Sequence, residues 1–388
     1  MERNWTKTDP ARTGQELPAL LRGMKGRRLA VVGDCMVDRY IWGAATRLSP
    51  EAAVPVVDFA QQSECLGGAG NVAANLVALG ASVGIFGVTG DDEAARALRV
   101  CLGQVKLSAG GILPDPSRPT TLKTRIIARH QQVVRVDRES RAPLSSFLER
   151  KLLKRILPTL GQLDGLIISD YDKGVVTDAI AEGVLEACRR AGVPVFVKPK
   201  WSRLFNYPGA AGIMVNRAEA GYLVKRSLDS ENLVEDAGRE LLTHFQCDAV
   251  VITRGEQGMS VFEREDETVR TPSRKSGSTK TASSAKLAVR NPAPGNDPAR
   301  AFRVAATSRE RHFGQTGHDQ NAQGRQVFDV TGAGDTALAT FALAMAAGAG
   351  VRSAALLGNA AAGVVVGKLG TSAVTLLELA AAVQELHS

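Results

Sequence analysis

The sequence predicts an α/β protein in which tightly packed helices lie on an open, largely parallel sheet and a small second sheet stands beside it. Three observations carry that expectation. Short apolar runs of strand length alternate with amphipathic stretches of helix length from residue 28 to residue 386, the rhythm of strand–helix–strand units. Two stretches, residues 39–64 and 118–138, break that rhythm with paired strand patterns and no helix between them, as in a lid over a cleft. Finally, Asp329-Val-Thr-Gly-Ala-Gly-Asp-Thr336 leads from a strand end at Val327 and Phe328 into a long run of small residues.

Composition bounds the reading. The 388 residues can bury a large core, as one big α/β domain or two smaller ones, and 44% apolar with 23% charged residues is ordinary for a soluble globular chain. Aromatics are sparse at 5%, which suits small-residue helices on a parallel sheet. The net charge of +8 is concentrated: residues 266–326 hold eleven Lys or Arg against five Asp or Glu. The fold's main surface is therefore near neutral, and nucleic acid is not an expected partner. Five scattered cysteines without C-x-x-C spacing, and an N-terminus without an apolar signal segment, point to reduced thiols in a cytoplasm. The longest uncharged apolar stretch, residues 336–351, is too short for a membrane span and reads as a core helix.

In chain order, residues 1–27 read as a polar leader holding a short helix at 15–24, and residues 28–34 as a buried strand ending in Gly-Asp. Strand ends of an open α/β sheet face the ligand crevice, so Asp34 and Asp38 become candidates for binding hydroxyls, or else turn-capping carboxylates. Leu66-Gly-Gly-Ala-Gly-Asn71 enters a helix over 72–79. Its glycines let a ligand approach the backbone, and Asn71 offers both a donor and an acceptor. A strand at 80–90 and a helix at 91–102 follow, then two alternating strands turning near 130–132 that supply Lys123, Arg125 and Arg135. The alternation resumes with a helix at 145–160 and a strand at 165–170 that delivers Asp170 and Lys173 at its end. A helix at 177–191 and a strand at 193–197 come next. The strand at 213–216 ends in Asn216, and Glu219 opens the next helix three residues later. That spacing suits either a hydrated divalent cation near phosphates or a helix capping box. A strand at 248–253 with a Gly-rich exit leads to another at 259–263.

Residues 264–326 are dominated by Ser, Thr, Lys, Arg, Gly, Pro and Asn. They bury too little apolar area to offset chain ordering and are expected to be disordered, an insertion within a hairpin that the fold around it survives. The organising turn comes next. A Gly-Ala-Gly entry leaves the N–H groups of Gly332, Ala333 and Gly334 pointing at one spot, with the helix dipole behind them, which is an anion hole suited to phosphate. Asp335, in the first helical turn, is placed to take a proton from a hydroxyl beside that anion, or else simply complements the dipole. Small-residue helices at 353–366 and 376–386 complete the chain.

Taken together, the stretches resemble the ribokinase-like (PfkB) carbohydrate kinases, with Leu66–Asn71 matching the N-terminal signature and Asp329–Asp335 the C-terminal one. Val32-Gly-Asp-Cys-Met-Val-Asp-Arg-Tyr40, Arg47-Leu-Ser-Pro-Glu51, Ser169-Asp-Tyr-Asp-Lys-Gly174 and Thr253-Arg-Gly-Glu-Gln-Gly-Met259 look like its D-glycero-D-manno-heptose 7-phosphate kinase branch. The resemblance implies one kinase domain over 28–388: a parallel-sheet sandwich with a small β-sheet lid, ATP along the C-terminal half and a sugar phosphate under the lid. It implies Asp335 as the base for the anomeric hydroxyl, and Gly332, Ala333 and Gly334 as donors to the transferring phosphate. Asn216 and Glu219 would organise Mg2+. Asp34, Asp38, Gly67, Gly68, Asn71, Asp170 and Lys173 would bind the sugar phosphate, and Thr253, Gly255, Gly258, Thr331, Asn359 and Asn216 the nucleotide. A homodimer through the lid strands is implied as well.

Three departures stand out. Lys198-Pro-Lys200 stands where that branch usually has Asp-Pro-Lys, so a carboxylate has become an ammonium. The basic insertion lies directly before the catalytic turn. And no His-x-Gly-His nucleotide-transfer motif occurs, which leads to the expectation of a separate adenylyltransferase.

Overall fold

The computed structural model describes residues 10–129, 131–200, 202, 205–264, 299–304, 331–368 and 372–385. The chain begins with α1 (Pro10–Met24), β1 (Arg28–Gly33), β2 (Cys35–Leu48), β3 (Pro55–Gly68), α2 (Ala69–Ala78), β4 (Ser82–Thr89) and α3 (Glu93–Gln104). It continues through β5 (Ile112–Pro114), β6 (Thr121–Ala128), β7 (Gln131–Arg138), α4 (Ser146–Ile156), β8 (Gly165–Ser169), α5 (Asp178–Ala191) and β9 (Val195–Lys198). Then come β10 (Gly212–Asn216), α6 (Arg217–Leu223), α7 (Glu231–Phe245), β11 (Ala249–Thr253), β12 (Met259–Arg264) and β13 (Ala299–Val304). It closes with α8 (Ala333–Ala346), α9 (Val351–Val366) and α10 (Leu376–Glu385).

Nine strands form one sheet in the order β13-β12-β11-β10-β9-β8-β1-β4-β5. Its members run parallel from β5 to β11, and β12 and β13 close that side antiparallel. Side-chain alternation splits its faces. Leu29 and Val31 of β1 join a core with α1, α2, α3, α8, α9 and α10, while Ala30 and Val32 face the core covered by α4, α5 and α7. The order reverses at β1, which pairs β4 on one side and β8 on the other. Such a switch opens a crevice at the carboxyl ends of the strands.

The second sheet has four strands in the order β3-β2-β6-β7. β2 leaves β1 after only Asp34, so its first residues, Cys35 to Asp38, are buried against the large sheet. Farther out it projects into solvent, where Leu48 of β2, Phe59 of β3 and Val136 of β7 are exposed.

Several elements differ from the expectations. The pair expected at 39–64 consists of two strands of 14 residues each, longer than the sequence pattern suggested, because backbone pairing continues through polar stretches that carry no alternation. α2 starts at Ala69, within the glycine motif. α7 was not expected, although its buried Val234, Leu241, Leu242 and Phe245 make one apolar stripe. The helix expected at 15–24 within the polar leader starts earlier, at Pro10, and its Leu17 and Met24 are buried in the core. Within the segment expected to be disordered, residues 299–304 form β13, an edge strand on β12 with Phe302 and Val304 buried. A six-residue alternation is diluted in a long polar average, and β12 supplies the backbone partners it needs. The rest of that segment, with Val327 to Val330 and residues 369–371, lies outside the described residues.

All five cysteines are unbonded, four of them buried. Among the described residues no helix is long and apolar enough to cross a membrane.

Candidate active site

The crevice at the strand ends is closed on one side by the start of α8. Gly332 caps that helix at φ 88°, a left-handed conformation that disfavours any side chain. Its carbonyl accepts from the amides of Asp335 (3.0 Å) and Thr336 (2.9 Å), which tightens the first turn. Ala333 and Gly334 lead the helix, where no carbonyl four residues back is available to their N–H groups. Thr331 immediately precedes this turn.

Asp335 is 4% exposed and sits in a ring of donors. Its Oδ1 accepts from the Tyr171 hydroxyl and from Lys198 Nζ at 2.7 Å; its Oδ2 accepts from Asn71 Nδ2 at 3.1 Å. Lys198 Nζ also donates to the Tyr171 hydroxyl at 3.0 Å and lies 5.0 Å from the centre of that ring. Burial alone would lower the Lys198 ammonium, but Asp335 and Tyr171 outweigh it and hold it above the ordinary lysine range. Burial and then Asp335 push the Tyr171 phenol upward, so it remains a neutral donor. With Oδ1 taking two donors, Oδ2 retains the open lone pair.

The donor ring is itself braced. Asn75 Nδ2 donates to the Asn71 carbonyl at 2.9 Å and to Asn71 Oδ1 at 3.2 Å, which fixes the amide so that its nitrogen faces Asp335. Asn75 Oδ1 in turn accepts from Thr336 Oγ1 at 3.0 Å. Asn71, expected to meet the sugar, thus also holds the Asp335 carboxylate.

Asp34 also proves to be a positioning group. Its carboxylate accepts from the amides of Tyr171 (2.7 Å), Lys173 (3.1 Å) and Val175 (3.2 Å), and it is 1% exposed. Those bonds pin the loop after β8 and thereby present Tyr171 to Asp335. Burial raises its pKa despite the three donors. Asp170 likewise turns inward, accepting from the Asp172 amide at 2.8 Å and the Tyr207 hydroxyl at 3.4 Å. Both carboxylates, expected at the sugar, thus also anchor the loop that follows β8.

Asp38 is different. It faces the crevice from β2, with Arg125 Nη1 at 2.6 Å from its Oδ1. Burial raises its carboxyl and Arg125 opposes this; the charge of Asp335 adds to the rise. The neighbouring glycines make room: a Cβ on Gly67 would lie 2.5 Å from Asp38 Oδ2, and one on Gly68 (φ 54°) 2.4 Å from the Asp34 carbonyl oxygen. Lys173 Nζ pairs with Glu139 at 2.8 Å, and Lys123 reaches Asp137 at 3.1 Å and Glu139 at 3.4 Å. Arg118 and Lys173, with Asp34, Cys35, Thr121 and Ser140, line a narrow cavity where the two sheets meet.

Farther along the sheet crest, Asn216 and Thr253 are register neighbours at the ends of β10 and β11. Asn216 and Glu219 form a reciprocal capping box: Asn216 Oδ1 accepts from the Glu219 amide at 2.8 Å and Glu219 Oε2 from the Asn216 amide at 2.9 Å. Glu219 Oε1 stays outside it, 3.8 Å from Lys200. Among the described residues no cluster of three acidic, His or Cys side chains is placed to hold a metal. A carboxylate oxygen outside the capping box, beside an amide, still suits a hydrated magnesium, which keeps most of its shell as water and phosphate oxygen. Gly255 (φ 59°) and Gly258 (φ 79°) turn β11 into β12, and Asn359 is buried on α9.

Of this constellation, Tyr171 was not singled out from the sequence, and Lys198 was singled out only as a departure from the heptose branch, not as a partner of Asp335. Their signal was positional: each stands at or just beyond a parallel-strand end, the row that lines such crevices.

Comparison with known proteins bears on this geometry. Residues 27–282 and 304–377 match the family described as pfkB family carbohydrate kinase. The bifunctional protein HldE of Geotalea uraniireducens (strain Rf4) is 38% identical over 96% of this chain and 66% of its own length. The bifunctional protein HldE of Caulobacter vibrioides is 40% identical over 94% of this chain and 65% of its own. The chain therefore spans about two thirds of these relatives. Because both are named bifunctional, the expectation of a separate adenylyltransferase is not supported. Among solved structures, Arabidopsis thaliana ribokinase complexed with ribose and ATP matches with a TM-score of 0.65 at 16% identity, over 92% of this chain and 99% of that one. Phosphofructokinase-2 from Escherichia coli in complex with substrates and products gives 0.65 at 16% identity, over 92% and 98%. These likenesses show a ribokinase-like α/β fold.

Proposed function

The chain belongs to the pfkB family of carbohydrate kinases, and from that premise we propose that it transfers the γ-phosphoryl group of ATP to the anomeric hydroxyl of D-glycero-D-manno-heptose 7-phosphate. The product would be heptose 1,7-bisphosphate, a precursor of ADP-heptose for lipopolysaccharide core, made in the cytoplasm. The observation that carries the reading is Asp335, a buried carboxylate in the first turn of α8, one residue after a Gly-Ala-Gly anion hole. A donor hole and a base in one turn suit phosphoryl transfer to an alcohol. The heptose-branch stretches and the identity to proteins named HldE support the choice of sugar.

In this reading Asp335 Oδ2 takes the proton of the attacking hydroxyl, while Asn71 and Tyr171 hold the carboxylate in place. Ala333 and Gly334 donate to the transferring phosphoryl oxygens, with Gly332 shaping the turn. Asp38 binds sugar hydroxyls beneath the lid, and Arg118 and Lys173 beside the small cavity are the candidates for the 7-phosphate. Thr253, Gly255, Gly258, Thr331 and Asn359 line the nucleotide side. Asn216 and Glu219 would hold magnesium, which when bound neutralises the β- and γ-phosphates. The exposed apolar residues of the small sheet, Phe59 and Val136 among them, support a homodimer across the lid strands. Light scattering after size exclusion tests that, and a monomer at every concentration would retire it.

The deciding experiment measures ATP turnover with magnesium and heptose 7-phosphate beside fructose 6-phosphate and ribose, with Asp335→Asn as control. Selective turnover of the heptose, lost in the control, is expected. Turnover of another sugar alone would move the protein elsewhere in the family. A second reading, a nucleotide- or sugar-binding regulator that no longer transfers phosphate, is favoured by one observation: an ammonium sits 2.7 Å from the would-be base. ATP binding without turnover of any sugar would establish it.

A further inference from the structure

We propose that Lys198 is a further catalytic residue, whose ammonium pairs with Asp335 and contacts the transferring phosphoryl group during reaction. The inference rests on the kinase reading. Lys198 Nζ lies 2.7 Å from Asp335 Oδ1 and 3.4 Å from where a Cβ on Gly334 would stand. It therefore sits beside the backbone of the anion hole as well as beside the base. The side chain is 18% exposed and that of Asp335 6%, so little water separates the pair from its surroundings.

Stability alone gives little reason for such a pair. Taking two charges out of water costs about as much as their attraction returns, and apolar replacements of similar volume are commonly as stable. A buried cation beside an anion hole instead suits the charge on a phosphoryl group in flight. Lys198 comes from the end of β9, whose neighbour β8 delivers Tyr171, so the sheet fixes its backbone. The Tyr171 ring and hydroxyl steer its tip.

The step balances without another reactant. The sugar oxygen forms its bond to the γ-phosphorus, and the bond from that phosphorus to the β–γ bridging oxygen breaks, releasing ADP. The hydroxyl proton passes to Asp335 Oδ2. Lys198 stays protonated and contributes charge only.

The test uses Lys198→Met and Lys198→Arg in the full chain, with binding measured by calorimetry besides turnover. A kcat lower by about 10²- to 10³-fold in Lys198→Met is expected, the loss typical of a removed transition-state donor. Lys198→Arg should recover part of it. Independently of turnover, the preference for the non-hydrolysable ATP analogue AMP-PNP over ADP should fall by about tenfold or more, with ADP affinity held within threefold. The same comparison in the Asp335→Asn background leaves no uncompensated carboxylate and keeps the measurement available if the single variant unfolds. An unchanged analogue preference would overturn the proposal, and so would a kcat that is unchanged or raised, a rise assigning Lys198 to an inhibitory pair. Failure of the wild type to phosphorylate any sugar would instead sink the kinase reading, and the binding comparison would then decide whether Lys198 meets the γ-phosphate.

Discussion

The base of the proposed reaction is held by side chains that each do one physical job. Asn71 fixes one carboxylate oxygen, Tyr171 and Lys198 the other, and Asp34 positions Tyr171 through its backbone. Gly67 is the complementary case, a position where the absence of a side chain matters. Gly67→Ala would place a methyl group 2.5 Å from Asp38 Oδ2 and 2.7 Å from Met36 Cγ, so the carboxylate must move. Steady-state kinetics are expected to show a KM for the sugar raised about tenfold, equivalent to about 1.4 kcal/mol, with the KM for ATP unchanged. Asp115 offers a test in pH. Burial would raise its carboxyl, but the donors Ser117 and Arg118 outweigh burial and hold it below its ordinary 3.8. A depressed acid stabilises the fold above the unfolded pKa, and that contribution is lost as pH falls through the folded value. Urea titrations across pH 2–5 should therefore show a flatter acid limb in Asp115→Asn, with about 1–2 kcal/mol less stability at pH 7. An acid limb identical to the wild type's would refute the assignment. Asp34 and Asp335 were legible as candidates because each stands at a strand end or helix entry. Their partners were not, because a hydrogen bond between distant side chains leaves no trace in local periodicity.

At the scale of elements, α8 is the piece on which the site depends. It is packed by small residues, and a Cβ on Gly358 of α9 would come within 2.9 Å of the Ala337 carbonyl oxygen. Phe341 is its large anchor, 1% exposed, with its ring edge-on to Phe196 of β9 at 5.9 Å and 89°. The same contact therefore bears on the helix that carries Asp335 and the strand that carries Lys198. Phe341→Ala is expected to cost about 3–5 kcal/mol by denaturant unfolding and to lower kcat through misplacement of the pair. A stability loss with kcat unchanged would show that the first turn of α8 is held without it. The helix itself was readable from its small-residue run and its Gly-Ala-Gly start. α7 was passed over although its stripe is regular, and β13 was hidden because edge pairing with β12 decides it more than its own composition does.

For the molecule as a whole, the organising feature is one sheet whose order reverses at β1, with a second sheet growing directly out of that point. β12 and β13 form the edge of the sheet far from this switch, and residues 265–298 join them in sequence. Replacing that connection with a short turn, about eightfold shorter, removes some three doublings of loop length and should stabilise the fold by about 2 kcal/mol. Thermal unfolding and turnover measured together check this, and a large loss of either would show that the connection contributes contacts of its own. The sequence by itself determined the strand and helix rhythm, the glycine-led helix entry and the family. Those follow from backbone sterics and from periodicities of two and 3.6 residues, which act over short spans. Only the tertiary structure decided that Asp335 meets Lys198, Tyr171 and Asn71, which lie 137, 164 and 264 residues away along the chain. It also showed that Asp34 and Asp170 anchor the loop after β8. The reason is geometric: parallel strands align their carboxyl ends on one crest, and which side chains touch there depends on strand order, on register and on which buried amides claim each carboxylate first.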